Sequence, residues 1–228
     1  MPKVSQEHLD SRRRQILAAA NRCFARVGFH NATMQDVIKE AELSAGAIYN
    51  YFPSKEDIII AIADERHARE AEICRTAESE TDPFAAIKYL ARTFFDHLSD
   101  EGQEEERRVG VQLWAEALNN KRLLKVTREG SAEPHRVLVK LIEQMRSSGE
   151  IPREIDADAM TRVMIALFQG LVLQKCRQKD LDIRPYVQAV LFLAEGLRTG
   201  GQVRRVKPAK SRKTPGTVAG RHNLRSPS

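Results

Sequence analysis

Between Thr33 and Lys55 the chain reads TMQDVIKEAELSAGAIYNYFPSK, and its polar and small residues are spaced for holding phosphate and meeting base edges. Ser44, Ala45, Gly46, Tyr49 and Asn50 fall on the outward side of a short helix that the Ser44 hydroxyl can cap. The free N–H groups and dipole at the start of a helix attract phosphate, and small residues there let the backbone approach a partner surface. Ile48 and Phe52, four apart, form the inward side. Thr33 and Asp36 make a capping box for a preceding helix whose apolar face is Val37, Ile38 and Ala41. Pro53 stops the second helix, and Ser54 with Asp57 opens another, leaving Lys55 exposed at its start. Two short helices, the second presenting small and polar residues, match a helix-turn-helix that reads the DNA major groove. Tyr49 also admits a plainer role, packing alone.

These residues need a scaffold, and the flanking sequence predicts one. Residues 1–10 read as a flexible arm, followed by Arg12, Arg13 and Arg14 at the opening of a first helix. Positive charge there opposes the helix dipole, so an anionic partner explains the triplet better than helix stability does. Arg13 is thus a candidate DNA contact, a solvated charge run being the alternative. Ile16, Ala20, Phe24 and Val27 give that helix an inner face, and Gly28 is its natural stop.

The segment also resembles the tetracycline-repressor (TetR) family of bacterial transcriptional regulators. The likeness runs from ILAAANRCFARVGFHNAT through IKEAELSAGAIYNYFPSKEDIIIAI, roughly residues 12–62. A bare helix-turn-helix spacing would be weak; here the Gly28-Phe29 turn, the Thr33 cap, Ser-x-Gly and Tyr-x-x-Phe-Pro-Ser-Lys follow in order. The resemblance implies that Thr33, Tyr49 and Lys55 touch DNA phosphates while Ala45, Gly46 and Asn50 face base edges. Many members carry a basic residue or proline where this chain has Ala45. An alanine offers no phosphate or guanine contact but can meet a thymine methyl.

Downstream, a connector helix is expected from Ser54 to about Ala77, with Ile58, Ile59, Ile62 and Ile73 turned inward. Asp82 and Pro83 open another, striped by Phe84, Ile87, Ala91, Phe94 and Leu98 with Phe95 alongside. Residues 99–107 read as acidic and polar, with Glu101–Glu106 as a solvated turn, before a helix from Val109 to Leu118, and residues 120–148 as a helix interrupted near Gly130–Pro134. Phe84, Phe94, Phe95, Trp114 and Phe168 are the aromatic candidates for lining a ligand cavity, with His97 and Glu116 as polar neighbours; core packing is their alternative.

Two last helices, one from Asp156 to about Lys179 and one opening at 182–185, carry more apolar surface than one body needs, since Leu173, Phe192 and Leu193 lie off the main stripes. The resemblance assigns these helices to a four-helix homodimer interface, which nominates Leu167, Gly170, Leu171, Gln174, Val190, Leu191 and Ala194. Two recognition helices related by a two-fold axis read a palindrome whose half-sites lie about 34–36 Å apart. In the family, a ligand in the body moves the heads off that spacing. A body that binds a protein partner instead of a small molecule is the competing reading.

Composition sets the outer bounds. The chain of 228 residues has few glycines and prolines, nearly all between amphipathic runs, which points to an all-α protein. Its expected division is an arm and DNA-binding head over residues 1–53, a ligand-sensing and dimerisation body over 54–198, and a disordered basic tail over 199–228. Cys23, Cys74 and Cys176 are far apart and without nearby histidines, so neither a disulfide framework nor a zinc site is suggested and a reduced, cytoplasmic setting fits. No apolar run reaches the roughly 20 residues of a membrane span, and the N-terminus lacks a secretion signal's apolar core. The net charge of +6 is misleading: nine Lys and Arg from Arg198 onward, with no acidic residue, more than account for it. That tail can add salt-sensitive, non-specific DNA affinity or simply solubilise the chain. Without a phosphate loop, HExxH or nucleophile elbow, no catalysis, cofactor or metal is expected. The expected partners are operator DNA, a second copy of the chain and an unidentified small effector.

Overall fold

The computed structural model describes residues 6–198, and these are all-helical in their regular structure. The helices are α1 (Gln6–Val27), α2 (Met34–Ala41), α3 (Ala45–Tyr49), α4 (Lys55–Glu78), α5 (Pro83–Ser99), α6 (Glu104–Ala117), α7 (Lys121–Ser148), α8 (Ala157–Arg177) and α9 (Arg184–Arg198). A three-helix head, α1–α3, is joined through the long α4 to a body of five helices. The tail expectation, like the first five residues of the arm, lies outside the described residues.

Local chemistry places most of the boundaries. Gly28 turns the chain after α1 at φ 84°, a left-handed conformation that favours glycine. Thr33 accepts from the Asp36 N–H at 3.2 Å while the Asp36 carboxylate accepts from the Thr33 N–H at 2.9 Å, completing the capping box. Ser44 accepts from Ala47 N–H, Ser54 from Asp57 N–H and Asp156 from Ala159 N–H, so α3, α4 and α8 each start on a side-chain oxygen. The α2–α3 turn instead uses Glu42 at φ 55° and ψ 37°.

Three sequence expectations need correction. Residues 6–10, expected in the arm, are instead the start of α1, where the Gln6 amide reaches Asp10 one turn later at 3.0 Å. Arg12–Arg14 therefore sit inside the helix, clear of its N-terminal dipole. The acidic stretch is not a solvated turn: Glu101–Gln103 form a 3-10 turn, and Glu104, Glu105 and Glu106 make the first turn of α6, where negative charge complements the dipole. Finally, α7 is helical through Gly130–Pro134. Gly130 serves a crossing: α4 packs so close that a Cβ there would collide with the His67 ring.

Three apolar clusters hold the layers. The first joins Ile16, Phe24, Val37, Ile48 and Phe52 of the head to Ile58 and Ile62 of α4, and also to Val109, Leu113 and Leu123 from α6 and α7. Val27, expected in this face, is 38% exposed because α1 ends as it reaches solvent. The second cluster packs the far half of α4 with α5, α7 and the start of α8; the third gathers Phe95, Leu98, Leu171, Val172 and Ile183. Alongside these, α4 and α7 run parallel, linked from Arg122–Asp57 at one end to Arg136 and Lys140 on Glu78 at the other.

Candidate nucleic-acid interface and effector cavity

Ile48 is fully buried and Phe52 is 5% exposed, so α3 is anchored by the two residues expected to anchor it. This turns Ser44, Ala45, Gly46 and Asn50 outward, with Tyr49 at 44% exposure. Nothing lies within 4 Å of where a Cβ on Gly46 would stand. No neighbour among the described residues requires a glycine there. Thr33 is exposed at the start of α2 beside Gln35, so both helix starts lie open.

Two expected DNA contacts are differently placed. Lys55 is half-buried, and its ammonium donates to the carbonyls of Phe29 and Ala32 at 2.6 and 2.7 Å. It ties the start of α4 to the α1–α2 turn, which carries carbonyl groups that no helix satisfies. Arg13 pairs with Glu65 of α4 and its guanidinium lies 5.8 Å from the Phe52 ring centroid. Arg14, next in the triplet, is exposed. Sequence patterns cannot distinguish a lysine that holds a turn from one that holds a phosphate, because the partners here are backbone carbonyls.

The head is braced internally and to the body. Glu40 of α2 takes Arg22 at 2.9 Å and Arg26 at 3.1 Å, and these hydrogen bonds hold its carboxyl below the usual range. Gln112 of α6 was not among the sequence candidates, yet its amide accepts from Phe29 N–H at 2.8 Å and donates to the Phe24 carbonyl at 3.0 Å. A half-exposed glutamine on an amphipathic helix carries no signal of such a role. Glu116, one turn later, faces His30 at 3.2 Å and so belongs to this junction instead of a ligand site.

In the body, α4, α5, α6 and α8 enclose an open cavity of about 330 Å³. Ile73, Phe94, Leu98, Phe168 and Val172 give it an apolar floor, and Arg66, Arg69, Arg107, Glu70, Glu106 and His97 are among its polar lining. Of the predicted aromatics, Phe94 and Phe168 line it, with ring centroids 5.4 Å apart. Phe84 and Phe95 are instead core, at 2% and 4% exposure, because each falls between packed helices on the inner side of α5. Trp114 stands outside the lining, with the Arg66 guanidinium 6.0 Å from its ring.

The expected interface residues divide. Leu167 and Gln174 are exposed and Gly170 has open space where a Cβ would stand, but Leu171 turns into the third cluster at 6% exposure. Val190 packs on that cluster and Ala194 on the second; Leu191 is half-buried. Large apolar surface remains outward nonetheless, with Val163 at 52%, Phe192 at 75% and Leu193 at 58%. Among the described residues no group of His, Cys, Asp and Glu is arranged to hold a metal, and no helix is long and apolar enough to cross a membrane.

Comparison with known proteins falls on both halves of this arrangement. Residues 16–62 match the model of the bacterial regulatory proteins of the tetR family, and residues 87–199 that of the C-terminal part of BetI-type transcriptional repressors. The chain belongs to the TetR family of transcriptional regulators. It is 26% identical over 195 residues to the HTH-type transcriptional repressor Rv1474c of Mycobacterium tuberculosis, covering 86% of this chain and 97% of that one. The fold matches the fatty acid degradation regulator FadR of Bacillus halodurans with a TM-score of 0.72 at 23% identity, over 81% of this chain and 95% of the other. It also matches FadR of Bacillus subtilis in complex with stearoyl-CoA, with a TM-score of 0.68 at 21% identity, over 82% and 98% of the two chains. A TetR-family regulator acts on transcription through DNA, not as an enzyme.

Proposed function

We propose that this TetR-family protein is a homodimeric, cytoplasmic repressor that binds a palindromic operator through α3 and the start of α2, and leaves it when a small molecule enters the body. The observation that carries the reading is the outward face of α3. Ser44, Ala45, Gly46, Tyr49 and Asn50 are presented together on a helix fixed from behind by Ile48 and Phe52, and Thr33 stands at the start of α2. Phosphate contact falls to Thr33 and Tyr49, base contact to Ala45, Gly46 and Asn50. Residues 1–53 serve as the reading head, 54–198 as the sensing and pairing body, and 199–228 as a basic tail that adds non-specific affinity.

Dimerisation would cover the apolar residues that α8 and α9 leave outward, chiefly Val163, Leu167, Phe192 and Leu193. The cavity supports a small molecule over a protein as the body's partner, because its apolar floor lies recessed between four helices. The binding of stearoyl-CoA by the Bacillus subtilis neighbour is a precedent for such a site in this fold. A ligand need favour the released state by only about 1–3 kcal/mol to weaken operator binding some 5- to 150-fold.

The decisive experiment is selection of DNA from a random library by the purified protein at about physiological salt. An enriched palindrome, lost in Tyr49→Ala with the dimer intact, supports the reading. Binding without enrichment that fades as salt rises would overturn it. The recovered operator then permits a small-molecule library to be screened for release.

A further inference from the structure

The cavity lining carries three arginines and three glutamates, but they are not paired one with one. Glu70 receives Arg66 at 2.9 Å, Glu106 receives Arg69 at 2.9 Å, and Glu72 is paired with Arg75. Arg107, only 9% exposed, lines the same cavity and makes no ion pair among the described residues. Its Nη1 donates to the carbonyls of Asp100 and His97, at 2.5 and 3.5 Å, closing the end of α5. The Nε–H and Nη2–H edge of the guanidinium has no hydrogen-bond acceptor among the described residues. Two carbonyl dipoles replace only part of the solvation that a nearly buried guanidinium loses, and an anion brought to its open edge adds to it.

We propose that the cavity binds an amphipathic carboxylate, a molecule with one carboxylate on an apolar body, and that Arg107 is the residue that holds its charge. The inference rests on the ligand-responsive reading and adds the chemical class. Two N–H groups in one plane fit the two oxygens of a carboxylate as a fork, which a lysine could not reproduce. The apolar body lies along Phe94, Leu98, Phe168 and Val172. Arg107 also borders a second opening, but there Glu101, Glu104 and Asp180 stand among Lys175 and Lys179, and that charged lining offers no apolar floor for the ligand's body. In the first cavity every nearby carboxylate is already engaged by an arginine.

Calorimetry with the full-length protein tests this with three matched probes: decanoate, decanol and decyltrimethylammonium. Decanoate binds, decanol binds about tenfold or more weakly because a charge-assisted hydrogen bond is lost, and the cation does not bind. Arg107→Lys removes most of the preference for decanoate over decanol. Ile73→Trp, which fills the cavity from α4 and leaves Arg107 in the chain, abolishes decanoate binding. Equal binding of decanoate and decanol, or binding of the cation, overturns the carboxylate assignment, as does decanoate binding that persists in Ile73→Trp or failure of all three probes to bind. Release of the operator by library compounds of another charge class would overturn this assignment alone and leave the ligand-responsive reading standing.

Discussion

Gln112 and Phe29 are joined across the head–body junction: the glutamine side-chain oxygen, on α6, accepts the Phe29 backbone N–H at 2.8 Å. The same amide donates to the Phe24 carbonyl at 3.0 Å, so one side chain clasps both sides of the turn that ends α1. Gln112→Leu leaves that N–H without its partner. The expected loss is about 1–3 kcal/mol of stability, read as a lower urea midpoint with an unchanged slope. An unchanged midpoint would mean that water replaces the clasp at no cost.

Lys55 gives a second, separable prediction. Its ammonium is committed to the Phe29 and Ala32 carbonyls, so Lys55→Ala should destabilise the protein by about 1–3 kcal/mol. At a temperature where the variant remains folded, the dependence of DNA binding on salt should match that of the parent. A salt slope lower by about 1, with stability unaltered, would instead make Lys55 a phosphate contact.

Glu42 occupies the left-handed region at φ 55° in the turn between α2 and α3, where a side chain with a Cβ is strained. Glu42→Gly should raise thermal stability by about 1 kcal/mol, since the relief of that strain exceeds the entropy glycine adds to the unfolded chain. Differential scanning calorimetry decides the sign. A fall in Tm would mean that the glutamate side chain stabilises the turn.

Glu78 links α4 to α7 through Arg136 and Lys140, and its hydrogen bond from Arg136, followed by that from Lys140, lowers its pKa to about 2. The folded state thus binds its proton less readily than the unfolded state, in which the carboxyl titrates near 4.5. Its stabilising contribution is complete above the unfolded value and fades as pH falls from there toward 2. Glu78→Gln should flatten the acid-side loss of stability between pH 5 and 2, as followed by urea titrations. Parallel curves for the two proteins would remove this ion pair from the acid response.

The outward face of α3 was the most legible part of the molecule, because it is written in local chemistry. Thr33, Ser44 and Ser54 cap helices within a few residues of themselves, and Ile48 with Phe52 reports its own inward side by spacing alone. What the sequence withheld depends on distant partners. Lys55 finds carbonyls 23 and 26 residues away, Gln112 finds a turn 83 residues away, and neither association leaves a periodic trace. The cavity was half legible for a related reason. Five aromatics were visible, but only packing among α4, α5, α6 and α8 could separate Phe94 and Phe168, which line the space, from Phe84 and Phe95, which fill the core.

The first apolar cluster crosses from the head into α6 and α7 through Val109, Leu113, Ala117 and Leu123. A graft that moved only residues 1–53 onto a relative's body would carry half of a jigsaw and meet someone else's other half. If α3 reads the operator as proposed, exchange of DNA specificity should transplant the α3 surface alone, or bring these four body residues with the head as a single unit of inheritance.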